Sequence, residues 1–183
     1  MSPPALMLRL TLALLLAAPF ATSQTTSSLH IGGVDFDLSG VGQATVIDAR
    51  VGHALNRYVA VEGGLGYSDT PQQFGDVRYV LPSAEVQLGV PVGPVRPFVG
   101  LGLGVFVPLE EAGERTIQRG ETTLTVDVYP STYTAATVAL GADVAVVGPW
   151  IARATGRLRA TGDDPFEFSG TFAELTGGVG YRF

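Results

Sequence analysis

Apolar and polar residues alternate with a period of two through nearly all of the chain after residue 23. Side chains on an extended strand point to opposite faces in turn, so this pattern marks strands with two chemically different faces. A helix would instead repeat every three or four residues. The last segment shows it most clearly. Thr171, Ala173, Leu175, Gly177, Val179, Tyr181 and Phe183 make one face, and Phe172, Glu174, Thr176, Gly178, Gly180 and Arg182 make the other. Its predecessor, residues 150–160, sets Trp150, Ala152, Ala154, Gly156, Leu158 and Ala160 against Ile151, Arg153, Thr155, Arg157 and Arg159.

The same reading assigns strands to residues 133–146, 95–107, 78–90, 58–68 and 44–54, and a weaker one to about 29–38. In that first strand Val34, Phe36 and Leu38 form the apolar face against Asp35 and Asp37. The total is eight. Short connections fall at Leu55-Asn56-Arg57, at Pro91-Val92-Gly93-Pro94 and at Val147-Gly148-Pro149, and longer ones near 39–43, 69–77, 108–132 and 161–170. Short turns at one end and long loops at the other are the layout of a barrel spanning a bacterial outer membrane. An even strand count puts both termini on the short-turn side. Within the longest loop, Thr122-Thr123-Leu124-Thr125-Val126-Asp127-Val128 alternates again and is expected to extend a hairpin outward.

The first 23 residues read differently. Arg9 gives a positive n-region, Leu10 to Ala18 a short apolar run, and Ala21-Thr22-Ser23 small residues before a cut ahead of Gln24. The apolar run is about half the ~20 residues a spanning helix needs, so residues 1–23 are expected to be a cleaved signal peptide. Cysteine is absent, which excludes disulfides and thiolate metal sites. All 11 basic residues are Arg, and the formal charge of −6 argues against a nucleic-acid partner.

Alternation alone would also suit a soluble barrel with a ligand cavity. Three features favour lipid outside. One face carries Asp48, Arg50, Glu62, Glu85, Gln87, Asp143, Arg153, Arg157, Arg159, Glu174 and Arg182, too polar for a soluble core. Acids and arginines on it are roughly balanced, so they can pair inside a wall that makes a lone charge costly. Glycine is frequent there, which suits a narrow interior needing room for long side chains, whereas a solvated strand face gains little from it. Aromatics also fall on the apolar face near strand ends: Phe183, Tyr181, Trp150 and Tyr67, as interfacial girdles require.

These residues carry a resemblance. Leu175-Thr176-Gly177-Gly178-Val179-Gly180-Tyr181-Arg182-Phe183, Val95-Arg96-Pro97-Phe98-Val99-Gly100-Leu101-Gly102-Leu103-Gly104, and Leu55-Asn56-Arg57-Tyr58 entering a Gly-rich strand together look like the OmpA/OmpX/opacity-type small outer-membrane barrels. The likeness covers residues 24–183. It implies that Phe183, Tyr181, Val179 and Trp150 form a C-terminal insertion signal and girdle read by the barrel-assembly machinery. A peptidoglycan-binding function, which some of these proteins carry in a further domain, is not expected.

Chemistry is sparse. Lipid-modifying and protease-type barrels set His with Ser or acidic partners at the outer rim. His30 and His53, the only histidines, are expected instead at the short-turn end on the lipid-facing parity. A register pairing 34 with 49 would bring these two together, but two ligands without a carboxylate are too few for a metal site. Gly100, Gly102 and Gly104 alternate strictly with no helix after them, so they mark an inner strand face and do not form a phosphate loop. Glu110, Glu111 and Glu114 fit a solvated loop. Arg153, Arg157 and Arg159 are either an anion-selective constriction or a salt-bridge ladder with Glu174 and Asp143. An eight-stranded interior is just wide enough for side chains to fill, which favours the ladder.

The expected protein is therefore all-β: an eight-stranded antiparallel up-and-down transmembrane β-barrel in the bacterial outer membrane, without cofactor or metal and not an enzyme. Its expected partners are outer-membrane lipid, the barrel-assembly machinery during insertion, and an unidentified surface ligand or small solute. The expected role is envelope structure or surface interaction through the long loops. The alternatives are a narrow porin-like channel and a soluble periplasmic ligand-binding barrel.

Overall fold

The computed structural model describes residues 24–35, 43–72, 75–109, 113–119, 122–128, 132–162 and 170–183. Residues 1–23, with the expected signal peptide, lie outside the described residues, as do Phe36, Asp37, Leu38, Glu110 and Glu111. Every regular element described is a strand: β1 Thr25–Asp35, β2 Gln43–Ala54, β3 Val59–Gln72, β4 Gly75–Gly89, β5 Val95–Pro108, β6 Gly113–Arg119, β7 Thr122–Val128, β8 Tyr133–Val147, β9 Trp150–Gly162 and β10 Gly170–Arg182.

Eight of these close into a barrel in the order β1-β10-β9-β8-β5-β4-β3-β2, each antiparallel to its neighbours. The closing seam pairs Thr26 with Arg182 and Asp35 with Ala173. β6 and β7 form a separate two-stranded sheet, Gly113 opposite Val128, within the long β5–β8 connection. The alternating segment at 122–128 thus pairs with its own partner strand; it does not lengthen β8.

Turn chemistry sets the short connections. Asn56 Oδ1 accepts hydrogen bonds from the backbone N–H groups of Tyr58 and Val59, both at 2.8 Å, closing the β2–β3 turn. Gly93 and Gly148 have φ of 60° and 54°, a conformation that favours glycine, and they allow the tight β4–β5 and β8–β9 turns. At the other end the strands run on. β3 and β4 pair out to Gln72 and Gly75, so most of the expected 69–77 loop is strand.

The first strand departs most from expectation. It begins at Thr25, and its parity is reversed: Leu29 and Ile31 are exposed whereas His30 and Val34 are buried. His30 lies opposite Asp48 and Val34 opposite Ala44, while His53 pairs with Thr25. The two histidines therefore do not meet, and the expected 34-to-49 register is replaced.

Burial is inside out for a water-soluble protein. Leu29, Val51, Leu65, Val86, Leu101, Leu140, Leu158 and Leu175, one on each barrel strand, are exposed outward, up to 70% for Leu175. Monomeric soluble proteins rarely show an apolar patch of more than a few hundred Å²; a ring of this kind needs a hydrocarbon solvent. Because every barrel strand is hydrogen-bonded on both edges, local fraying gains little in lipid or detergent. Unheated protein in SDS is expected to migrate as a compact species distinct from the boiled one. Identical mobility of the two samples on a gel would contradict closure.

Candidate functional site

Inside the barrel the side chains form one continuous charge network. Arg153 on β9 donates through Nε to Asp143 Oδ1 on neighbouring β8 at 2.5 Å and through Nη2 to Asp143 Oδ2 at 3.2 Å. Its Nη1 reaches Glu62 on β3, on the opposite wall. Glu62 also accepts from Arg50 at 3.1 Å, and Arg50 in turn holds Asp48.

Arg157 extends the chain of contacts, to Glu85 at 3.3 Å and to Glu174 at 2.8 Å. Arg159 ends it with two bonds to Glu174, at 2.8 and 2.9 Å. Gln87 bridges Glu85 at 2.9 Å and Glu62 at 3.3 Å. Neutral oxygens fill remaining donor positions: Thr137 accepts from Arg159 at 3.1 Å and Thr176 from Arg157 at 3.3 Å.

Two arginines flank this core. Arg96 reaches Asp143 only at 3.5 Å and is partly exposed. Arg182, expected within the network, is half-buried at the short-turn mouth and makes no ion pair among the described residues. Glycine on the inner face makes space for the cations. A Cβ on Gly64 would meet Arg50 at 3.2 Å, and one on Gly89 would meet Arg96 at 2.8 Å.

At the long-loop end the interior changes character. Tyr79, Leu81, Phe106 and Ala135 form a buried apolar cluster, with Tyr133 and Phe172 packed against it. Phe106 stands edge-to-face with Tyr79 at 6.0 Å and with Phe172 at 5.6 Å. Where this layer meets the charges, a cavity of about 10 Å³ lies between Val34, Leu81, Phe106 and Glu174, about the least that holds one water. Sequence reasoning missed this cap, although Phe106 shares the parity of Arg96 and Phe98.

Outside, at the short-turn end, Trp150 and Tyr181 are directly opposite on β9 and β10, their rings edge-to-face at 5.2 Å, and Phe183 lies 5.0 Å from Tyr181. Val179 is exposed on the same face. Together they make a contiguous aromatic and apolar rim.

The sequence matches the family described as the outer membrane protein beta-barrel domain over residues 8–183. The chain belongs to this family. Among solved structures, the outer-membrane barrel fold is shared with Neisserial surface protein A (15% identity, TM-score 0.62, 89% of this chain and 98% of that one). It is also shared with the N-terminal β-barrel domain of Pseudomonas aeruginosa OprF (17%, 0.52, 88% and 100%). A third is OprG of the same organism (11%, 0.54, 91% and 98%). No curated protein matches the sequence.

For this outer-membrane barrel protein the short-turn end is periplasmic, the loop end extracellular, and the exposed aliphatic ring faces lipid. His30, expected on the lipid face, is 1% exposed inside the barrel, its Nε2 2.8 Å from Ser28 Oγ. Glycine across the seam explains how it fits, since a Cβ on Gly178 would meet the imidazole at 2.7 Å. His53 is exposed, its Nδ1 3.3 Å from Thr25 Oγ1. Glu114 is exposed on β6.

Removing one member of a buried ion pair costs about 3–5 kcal/mol, because the partner charge stays buried. The cost depends on what the partner retains. Losing Arg153 leaves Asp143 with only the distant Arg96, whereas losing Arg159 leaves Glu174 still bonded to Arg157. Arg153→Ala is expected to lie in that range and Arg159→Ala clearly below it, as read from urea unfolding midpoints in lipid vesicles.

Proposed function

We propose that this protein is a non-enzymatic integral outer-membrane barrel that anchors extracellular loops for envelope structure or surface interaction. One observation carries the reading: a connected ion network crosses the middle of the lumen, and the Tyr79–Phe106–Phe172 cluster lies above it. An interior occupied in this way suits a scaffold better than a passage. The β6–β7 hairpin gives the longest loop its own secondary structure, as a surface-presented element would need. The name of Neisserial surface protein A fits such a role for that protein.

The absence of catalysis belongs to the same proposal. His30 is enclosed, and His53 lies at the periplasmic rim beside Thr25, away from the outer leaflet. Neither has the exposed acid–base company that hydrolysis requires.

Export and insertion complete it. Residues 1–23 act as a signal peptide removed before Gln24. The barrel-assembly machinery then reads the terminal face of Val179, Tyr181 and Phe183, with Trp150 beside it, before outer-membrane lipid solvates the finished wall. Deleting Phe183 is expected to lower the yield of membrane-inserted protein while signal cleavage continues; normal insertion of the shortened chain would refute the terminal signal.

The channel reading is tested by conductance. Wild-type protein in planar bilayers is expected to show no steady single-channel current. An anion-selective current that Arg157→Ala alters without changing stability would overturn the scaffold reading in favour of a narrow porin-like channel.

A further inference from the structure

At the periplasmic mouth, below the ion network, a cavity of about 250 Å³ opens between the β2–β3 and β4–β5 turns. Its charged lining is Arg57, Arg96, Arg153 and Arg182 against Glu62 and Asp143, an excess of two positive charges.

The two acids are already engaged. Glu62 accepts from Arg50, Arg153 and Gln87, and Asp143 accepts twice from Arg153. Of the four arginines, Arg153 is consumed by these bonds, and Arg57 lies on the exposed rim over the Tyr58 ring at 4.4 Å. That leaves Arg96 and Arg182. Arg96 has long hydrogen bonds of 3.5 Å to Asp143 and to Gln87 and lies 5.9 Å from the centre of the Phe98 ring, and Arg182 has no ion pair among the described residues. Two guanidinium groups thus face one enclosed space with donors to spare.

We propose that this mouth binds a small oxyanion, with Arg96 and Arg182 as its cationic ligands. The planar guanidinium fork matches the oxygens of phosphate and carboxylate, and gives stronger, more directional bonds there than a lysine would. Low-dielectric barrel walls focus the excess positive potential into the opening and raise the local concentration of anions. The cavity exceeds the size of a single phosphate, so the natural ligand can carry an organic substituent. It is reached from the periplasm and lies inside the strand wall. The oxyanion can belong to a dissolved periplasmic solute or to a lipid headgroup folded over the rim. The inference is independent of what the extracellular loops contact.

Inorganic phosphate is the probe. Mature protein folded in zwitterionic detergent is titrated with phosphate against chloride at matched ionic strength, followed by calorimetry and by the NMR signals of arginine side chains. Saturable binding is expected for wild type. A charged hydrogen bond is worth about 1.5–3 kcal/mol, so R96Q and R182Q should each weaken it about tenfold or more, while R57Q, at the exposed rim, should weaken it less than either. Heat-dependent gel mobility verifies folding of each variant. R182Q lies outside the ion network and decides the matter should R96Q fail to fold.

No saturation beyond the chloride control, or wild-type affinity in R182Q, would overturn the proposal. Repeating the titration in phosphatidylcholine and phosphatidylglycerol vesicles separates the sources. Equal phosphate affinity in both points to a dissolved anion, and loss of phosphate binding only with phosphatidylglycerol points to the headgroup.

Discussion

Hydrocarbon offers no hydrogen-bonding partner to a peptide group, and each unsatisfied backbone N–H or C=O there costs several kcal/mol. For a chain with strand periodicity throughout, a sheet without edges is the only arrangement that meets this constraint. The seam between β1 and β10 supplies it. Much else depends on closure. Closing eight strands fixes an interior about as wide as the side chains that enter it, and so decides which residues can occupy the inner face. Glycine on the adjacent strand leaves room for two of the arginines, Gly64 beside Arg50 and Gly89 beside Arg96.

The interior is built in two layers with different chemistry. In the middle, Arg153 ties β9 to β3 across the lumen, and Arg157 ties β9 to β4. Such pairs return little net stability over a well-packed apolar filling, because each charge has first to be taken out of water. What they add is mutual dependence. Each acid is shared between cations, so the wall positions are fixed relative to one another rather than strand by strand. Toward the cell exterior the same inner face becomes aromatic, and packing by Phe106 with Tyr79 and Phe172 replaces hydrogen bonding.

This layering also explains what could be read from the sequence. Periodicity located all eight barrel strands, and it gave the right parity on seven of them, from Asp48 and Arg50 on β2 to Glu174 on β10. It failed on β1. Val34 points inward, into the apolar layer with Val46 and Leu81. Asp35, the charge that suggests an inner face, falls instead on the outward parity of Leu29 and Ile31 at the loop end of the strand, and a shift of one residue moves every side chain to the other face. The reversed parity then carried His30 to the wrong side. Tyr79 and Phe106 escaped notice because an inward aromatic beside an outward valine does not read as alternation. Arg182 shows a different limit. Parity placed it on the inner face, but depth along the strand decides which acids it can reach, and depth depends on register across the whole barrel.

The layering sets what each end of the barrel can do. At the extracellular end, the rings of Tyr79, Phe106 and Phe172 occupy the space a solute would need, so recognition there falls to segments outside the wall. At the periplasmic end the ring of Phe98 lies beside Arg96 and Arg153, and the mouth reaches the network itself at Glu62, Asp143 and Arg153. Arg96, the cross-strand partner of Asp143, and Arg182 share that opening with Glu62 and Asp143. The network's five carboxylates, Asp48, Glu62, Glu85, Asp143 and Glu174, are matched by Arg50, Arg153, Arg157, Arg159 and the more weakly held Arg96. Arg182 is the cation left over, and together with Arg96 it faces the accessible cavity on which the proposed oxyanion site rests.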